Sequence, residues 1–546
     1  MRIPKSIRDN LRFLITEVGS QISTLQTYFG TPSATIARHV LDRSGYTYNL
    51  KMHIHSSCLS RIARLKDVET ETSVLRALED IATDLDRIAE LCRDCIQQMG
   101  YLRNRHSLEP DIYTPMLDRV GKGVALIDQA LSESDTQLAL KIGRIERRLD
   151  RDYKQLLKKY RRRKKPKRPA QDWITALFVA HYIEQMGDAL LDISEGIISA
   201  NIGQPVNTDR YHSLKASVEQ LGTHNDLSDL VIEKVAATRS GSGISGISTV
   251  DGEEDGYLAI FKDGKKRKLK EERHIVESWH EIFPGLAPKI LSYHKRGQSA
   301  ALLIEHLAGQ TFEQILLQES PKLLKETLRQ LTATLESVWR ETHTNKPVSA
   351  RYMQQLTKRM DDVYAIHPEF RQSDSRICGH SIPSFDALIR QAQDYEGGIQ
   401  APFSVYIHGD FNVDNIIYDP LERKINFIDL HRSRYLDYVQ DVSVFMVSNY
   451  RLQVLDPPLR KRILALTRDF YRFAAGYARQ VGDPGFELRL GLGLARSFAT
   501  STRFILDKSL AGAMYLRARY LLEQVLATRS CDPGRFRIPI KEIFVG

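Results

Sequence analysis

Two hydrophobic patterns divide this chain. Up to about residue 225 the apolar positions recur at alternating spacings of three and four, the period of a helix face. Leu78, Ile81, Leu85, Ile88, Cys92, Cys95 and Met99 form one stripe, and Val179, Ile183, Met186, Leu190, Ile193 and Ile197 another. No strand pattern interrupts them, so this segment reads as packed helices in bundles. The stripes share one register at an offset of 98 residues, which relates Leu85 to Ile183 and Cys92 to Leu190. The same offset pairs Asp86 with Glu184, Glu90 with Asp188 and Asp94 with Asp192. Each copy therefore carries carboxylates at i, i+4 and i+8. Like charges stacked this way cost a few tenths of a kcal/mol per pair on an isolated helix, roughly. A metal ion or basic residues on a neighbouring helix would offset that cost, and a solvated face is the alternative. Glu184, Asp188 and Asp192 are accordingly candidate metal ligands.

From about residue 230 the period shortens. Residues 231–237, 247–250, 257–262, 301–309, 404–407, 416–418 and 425–428 read as short apolar strands. Residues 269–279 read as a helix, with Val276 and Trp279 four and seven positions after Glu272. Residues 419–422 carry a turn that joins two of the strands into a hairpin.

Candidate chemistry sits beside that hairpin. His408-Gly409-Asp410-Phe411-Asn412-Val413-Asp414-Asn415 is followed by a strand that ends in Ile428-Asp429. Phosphoryl transfer from ATP requires one carboxylate at the attacking hydroxyl, and an amide and a second carboxylate on Mg²⁺. Asp410 fits the first role, and Asn415 and Asp429 fit the second. A polar loop beside a buried hairpin is the plain alternative. Upstream, residues 239–246 are rich in glycine and serine, whose N–H groups can approach phosphate oxygens. A flexible linker fits that composition equally well, but the position between the first two strands favours a nucleotide loop with Gly243 and Gly246. It lacks the G-K-[ST] of a Walker A loop.

These residues resemble the aminoglycoside phosphotransferase and choline kinase family, which has a protein-kinase-like fold. The resemblance spans roughly residues 230 to 525. It includes Asp437-Tyr438-Val439-Gln440-Asp441, placed eight and twelve positions after Asp429 as in the family's pattern, and similar Arg432 and Gln440. The resemblance implies that Lys262 neutralises the ATP phosphates and that Glu272, or failing it Glu271, is its ion-pair partner. It implies a hinge strand at 301–309, with Glu305 and Leu307 at the adenine. Asp437 and Asp441 would brace the catalytic loop.

The helical part resembles PhoU, a pair of three-helix bundles related by internal repeat. Glu184-Gln185-Met186-Gly187-Asp188-Ala189-Leu190-Leu191-Asp192 is similar to its E-x-x-G-D-x-x-x-[ND] signature, and Asp86-Arg87-Ile88-Ala89-Glu90 is a looser copy. The match covers roughly residues 5 to 220. It implies a metal-binding domain that acts in phosphate regulation, with a membrane-associated phosphate transporter or sensor as partner.

The expected architecture is multidomain. An all-α PhoU-like segment of two three-helix repeats (1–225) is followed by a bilobal α+β kinase-like fold, with a nucleotide-binding N-lobe (230–306) and a catalytic C-lobe (307–546). A length of 546 residues suits about three domains. With 42% hydrophobic and 27% charged residues, and no run of about 18 apolar ones, the chain reads as a globular protein without a transmembrane helix. No apolar signal core follows the first residues, and five cysteines in so long a chain point to a reducing, cytoplasmic setting. Cys92 and Cys95 form a C-x-x-C, but their place on the apolar stripe assigns them to the core. His53 and His55 are spaced like strand or loop neighbours and receive no role.

The net charge of +10 gathers in residues 158–168, with a smaller basic stretch at 265–268. Such a run reads as a solvated connection, or as a site for an acidic surface or anionic membrane. Without an aromatic platform or reading motif, no nucleic-acid partner is expected. The predicted function is ATP- and Mg²⁺-dependent phosphorylation of a small-molecule hydroxyl. A catalytically silent nucleotide-sensing regulator, or a scaffold in phosphate signalling, is the alternative. Arg434, with Arg351, Lys358, Arg359, Arg371, Arg376 and Arg390, favours a neutral or anionic acceptor such as a sugar or sugar phosphate over an aminoglycoside, unless these side chains face solvent.

Overall fold

The structure is a computed structural model that describes residues 3–64, 69–103, 108–161, 170–203, 206–219, 230–237, 243–249, 259–296, 299–454, 456–529 and 533–545. The chain forms two compact units. One is Met1–Lys266 with Leu291–Leu303, and the other is Arg267–Ile290 with Ile304–Gly546.

The first unit begins with helices α1 (Lys5–Gly30), α2 (Ala34–Leu41), α3 (Ser44–Ile62), α4 (Glu69–Met99), α5 (Pro110–Ser132), α6 (Thr136–Arg161), α7 (Ala170–Ile202) and α8 (Thr208–Glu219). Helices α1, α3 and α4 pack together, α5, α6 and α7 do likewise, and α4 packs along α7. The predicted repeat is thus two three-helix bundles joined through their third helices. Every residue of both apolar stripes is buried, Cys92 and Cys95 included. His53 and His55 lie on α3, not on a strand or loop. His55 Nε2 is 3.1 Å from both the Glu79 carbonyl and the Thr83 hydroxyl of α4. The buried face of α3 includes Thr47 beside Leu50, Ile54 and Cys58, which blurs its helical period in the sequence.

A five-stranded sheet completes this unit: β1 (Leu230–Ala237), β2 (Gly243–Thr249), β3 (Ala259–Lys265), β4 (Ile290–Arg296) and β5 (Ser299–Glu305), in the order β1-β2-β3-β5-β4. Strands β1 to β3 form an antiparallel meander. Ile247, Ala259, Phe261, Ala301 and Leu303 cluster with Leu214 of α8, and Ile202 of α7 packs against them. A polar latch accompanies this apolar contact. The Arg210 guanidinium on α8 lies 3.0 Å from the Asp263 carboxylate on β3 and donates to the Ser245 hydroxyl on β2 at 2.7 Å. The helices and the sheet therefore share an interface within one unit.

The second unit opens with helix α9 (Lys266–Ile282) and continues through β6 (Gln310–Thr311), α10 (Phe312–Gln318), α11 (Pro321–Glu341), α12 (Tyr352–Ile366), β7 (Ser375–Ile377), β8 (His380–Ile382) and α13 (Phe385–Glu396). It then holds β9 (Val405–Ile407), β10 (Ile416–Asp419), β11 (Lys424–Phe427), β12 (Arg434–Leu436), α14 (Val439–Tyr450), α15 (Pro457–Gln480), α16 (Phe486–Ser501), α17 (Lys508–Ala527) and α18 (Ile540–Ile543). Local chemistry sets the ends of several of these helices. The side chains of Ser320, Ser384, Asp456 and Asp507 accept N–H groups at the starts of α11, α13, α15 and α17. The predicted hairpin is β10–β11, with Ile416 opposite Phe427 and Asp419 opposite Lys424. The Asp419 carboxylate accepts the N–H groups of Leu421 and Glu422 and so closes the turn. Strand β9 pairs with β12 rather than with the hairpin. One large core lies beneath, with Trp279, Trp339, Phe312, Phe427 and Phe445 fully enclosed. Among the described residues no helix is long and apolar enough to cross a membrane.

Candidate active site

The loop after β9 is held by a buried carboxylate. Asp441, in the first turn of α14, accepts the N–H of His408 at 2.7 Å and of Gly409 at 2.8 Å. Burial pushes the Asp441 carboxyl up to about 7, against the pull of those two N–H groups. Gly409 has φ +83° and faces the Arg432 carbonyl so closely that a Cβ would stand 2.3 Å from its oxygen, so only glycine fits. His408 is buried, which lowers its pKa and keeps the ring neutral. A neutral ring suits both of its bonds: Nε2 lies 2.9 Å from the Ile428 carbonyl, and Nδ1 accepts the Asp410 N–H at 3.2 Å.

Asp410 is oriented from two sides. Asn412 Nδ2 donates to its Oδ1 at 3.0 Å, and an Arg432 nitrogen lies 3.2 Å from the same oxygen. Arg451 donates to the Asn412 Oδ1 at 3.3 Å and fixes that amide in turn. The loop is also tied to the hairpin. Asn415 Nδ2 donates to the Asp410 carbonyl at 2.9 Å, and the Asn415 carbonyl accepts the Ile428 N–H at 3.0 Å. Asp429 follows directly, with φ +58° and its Oδ1 3.1 Å from His431 Nδ1. A non-glycine residue in the left-handed region costs about 1–3 kcal/mol, and such strain gathers at functional positions. The hairpin thus brings Asp410, Asn415 and Asp429 to one end.

Asp437 and Asp441 have separate tasks. Asp441 braces the loop as described. Asp437 instead meets Arg489 of α16 at 2.8 Å, and Arg489 also meets Asp483 at 2.6 Å. Tyr438 donates to Asp483 at 2.7 Å. Gln440 reaches the Gly409 carbonyl at 3.4 Å.

The proposed nucleotide residues fall in both units. Lys262 on β3 belongs to the first unit and is 7% exposed. Glu272 on α9 belongs to the second and is also 7% exposed, whereas Glu271 is exposed and pairs with Arg267. Strand β3 runs on past Lys262 to Lys265 instead of ending there. Gly243 and Gly246 lie on β2 and pair with Asp263 and Ile260, not in the loop expected for them. Paired strand backbone has already used the N–H groups that the loop reading left free. Only residues 238–242 remain between β1 and β2, and they lie outside the described residues. So does most of the basic run, residues 162–168. Glu305 ends β5 with its N–H on the Lys289 carbonyl at 3.0 Å, and Leu307 follows, half-buried, in the link to β6.

The acidic columns of the two helical bundles have different surroundings. Asp86 and Glu184 are equivalent in register, and each faces the middle helix of its own bundle. In the first copy α3 presents Lys51, whose Nζ lies 2.6 Å from the buried Asp86 carboxylate. In the second copy α6 presents Glu146 and Asp150; the Asp150 charge raises the pKa of Glu146, Glu184 and Asp188, and Glu184 and Asp188 raise that of Glu146. Glu90 is exposed, 3.7 Å from Arg93. Burial raises Glu184, Asp188 and Asp192 from their ordinary carboxylate values. His181 lies 3.0 Å from Glu184, and Arg87 lies 3.9 Å from Asp192. Among the described residues no group of three or more His, Cys, Asp or Glu is gathered to hold a metal ion. His181 and Arg87 are cationic partners that answer part of the repulsion among Glu184, Asp188 and Asp192.

Asp84, on α4, feels Asp192 most among the charges near it. Burial, with Asp192 adding and Arg87 opposing, pushes its carboxyl up to about 7. The folded state then keeps a proton that an unfolded aspartate releases near its ordinary pKa of about 3.9. Stability from this group is present at low pH and lost as pH rises from about 4 to about 7. Asp84→Asn is expected to melt above the wild type at pH 8, with the gap closing toward pH 4.5. Identical melting at both pH values would contradict the buried, charge-repelled environment.

Of the basic residues weighed from sequence, Arg351, Lys358, Arg359, Arg371, Arg376, Arg390 and Arg434 are all exposed. Arg432 is the one in contact with Asp410. Arg496 and Arg503, which sequence reasoning passed over, lie within the electrostatic field of Asp410. The available signal was an arginine inside the apolar stretch of α16, Leu494-Ala495-Arg496-Ser497-Phe498.

Residues 250–478 match the model of the phosphotransferase enzyme family, and residues 114–197 match that of the PhoU domain. The phosphate-specific transport system accessory protein PhoU of Serratia marcescens is 21% identical over 211 residues, which cover 36% of this chain and 84% of that protein. Among solved structures, PhoU from Pseudomonas aeruginosa is 18% identical, with a TM-score of 0.32 over 36% of this chain and 94% of its own. An aminoglycoside-3'-phosphotransferase of type VIII is 16% identical, with a TM-score of 0.33 over 52% of this chain and 97% of its own.

Proposed function

Because the chain joins a PhoU-like segment to a phosphotransferase-family segment, we propose that it transfers the γ-phosphoryl group of ATP to a hydroxyl of a small molecule. The observation that carries this reading is the setting of Asp410. Its carboxylate is aimed by Asn412 and Arg432, on a loop pinned by Asp441 and bonded to Asn415.

In this reading the acceptor oxygen attacks the γ-phosphorus, its proton passes to Asp410, and the bond to ADP breaks. His408, neutral and bonded on both ring nitrogens, holds the loop and takes no proton. Asn415 and Asp429 suit Mg²⁺. The Asn415 Nδ2 is committed to the Asp410 carbonyl, which leaves its Oδ1 as a hard donor, and the Asp429 carboxylate would be the second. Mg²⁺ bound there would neutralise charge on the phosphates. Lys262, 7% exposed, is assigned to the ATP phosphates, and the resemblance to the phosphotransferase family gives Glu272 the role of its counter-charge. Glu305 and Leu307 would flank the adenine. The latch from Arg210 to Asp263, next to Lys262 in sequence, supplies a route by which the helices could influence the nucleotide strand.

Incubation with ATP, Mg²⁺ and a metabolite extract should yield a phosphorylated product that wild-type protein makes and the Asp410→Asn variant does not. Persistent absence of transfer would favour a silent nucleotide sensor. Asp429→Ala is expected to weaken ATP binding in a Mg²⁺-dependent way. Equal affinity of variant and wild type at every Mg²⁺ concentration would remove Asp429 from the metal site.

A further inference from the structure

More positive charge surrounds Asp410 than transfer to a neutral hydroxyl requires. Arg496 projects from α16 with its guanidinium 5.8 Å from the Tyr352 ring. Among the described residues its guanidinium makes no hydrogen bond or ion pair, and its Nε and Nη2 are buried without a partner. Arg503, in the short turn Thr502–Phe504 that follows α16, has a buried Nε that is likewise unpaired. Its Nη1 lies 3.4 Å from Asp362 of α12, a carboxylate that it shares with Arg359 at 3.7 Å. Asp410 and Arg432 act electrostatically on both Arg496 and Arg503. Burial disfavours the charge on both side chains, and the acids that oppose this are Asp410 and Asp441 at Arg496 and Asp362 and Asp410 at Arg503. Four guanidinium groups thus share the acids Asp362, Asp410, Asp441 and Glu396, and burial raises the last two above their ordinary values.

Buried donors left unpaired are uncommon in folded proteins and call for an explanation. A planar guanidinium with open N–H groups matches the two oxygens of a carboxylate or phosphate. We infer that the acceptor carries an anionic group besides its hydroxyl, and that Arg496 and Arg503 bind that group, with Arg359 and Arg432 at the rim. This rests on the reading of Asp410 as the base that receives the hydroxyl proton. A polycationic acceptor would meet like charge at the same place. None of the four arginines lies on β2, β3, α9 or β5, the elements assigned to the nucleotide.

Matched compounds test the inference with full-length protein, ATP and Mg²⁺: glucose, glucosamine, gluconate and glucose 6-phosphate, then glycerol, glycerate and glycerol 3-phosphate. The anionic members should show a KM at least tenfold below their neutral partners. Arg496→Gln and Arg503→Gln should each raise that KM at least tenfold, with little change in kcat and the KM for ATP within twofold. Preference for a neutral or cationic compound would overturn the inference, as would a rise in the KM for ATP in place of the acceptor's. A second measurement needs no turnover. Sulfate at constant ionic strength should raise the melting temperature of the wild type but not of the Arg496→Gln/Arg503→Gln protein. Arg496→Lys, which keeps the charge, should retain part of the rise and guards against a folding defect. No rise in the wild type, or an equal rise in the double variant, would sink the anion site. Transfer to none of the compounds, with the sulfate effect intact, would instead count against the phosphotransferase reading alone.

Discussion

Asp410→Asn is expected to lower kcat by about 10²–10⁴-fold, the usual contribution of a positioned general base. ATP binding should hardly change. Asparagine has the same shape and can still accept the Asn412 amide at Oδ1, so the loop should persist. The proton acceptor and the partner of Arg432 are what disappear. The loop's anchors, Asp441 to the N–H groups of His408 and Gly409, are untouched. A kcat within about tenfold of wild type, or about 1.4 kcal/mol in barrier, would remove Asp410 from the base role.

Arg489→Ala is expected to be the most damaging substitution for the second unit. Arg489 is 3% exposed, and its partners Asp437 and Asp483 are fully buried. Removal of the cation leaves two carboxylates facing each other without water. Loss of one partner from a buried pair costs about 3–5 kcal/mol, and here two acids are orphaned. Tyr438, bonded to Asp483, and Val439, whose N–H meets Asp437 at 3.1 Å, would lose their anchors too. Those residues lead into α14, so Asp441 and the catalytic loop should loosen and activity should fall with stability. The orphaned acids can recover by protonation, so the deficit should be larger at pH 8 than at pH 5. Chemical denaturation at the two pH values measures this. A loss below about 1 kcal/mol, or no pH dependence, would show that the cluster contributes little.

Where the sequence reading departed from the structure, the cause lies in contacts between elements. The offset of 98 residues correctly set Asp86 and Glu184 in equivalent places, yet one meets Lys51 and the other Glu146 and Asp150. The repeat is visible along the chain. The middle helix that each copy faces is not, because α3 and α6 have diverged in charge. The Gly/Ser segment shows the same limit. Composition cannot separate a loop from a strand that tolerates glycine, and pairing with β3 made Gly243 and Gly246 strand.

Periodicity alone determined the helical repeat, the hairpin and the order of the elements, because burial of an apolar face imposes spacing that survives in the residue order. The short motif around Asp410 was equally legible, since its partners lie within about twenty positions and local turns bring them together. Tertiary structure decided what the order could not carry. It showed that Asp441 rather than Asp437 holds the loop, that α8 grips the sheet through Arg210 and Leu214, and that Arg496 and Arg503 feel the charge of Asp410 while Arg351, Lys358, Arg371, Arg376, Arg390 and Arg434 are exposed. A charge leaves no periodic trace of its neighbours. Its role depends on which distant side chain packs beside it and on whether water remains between them.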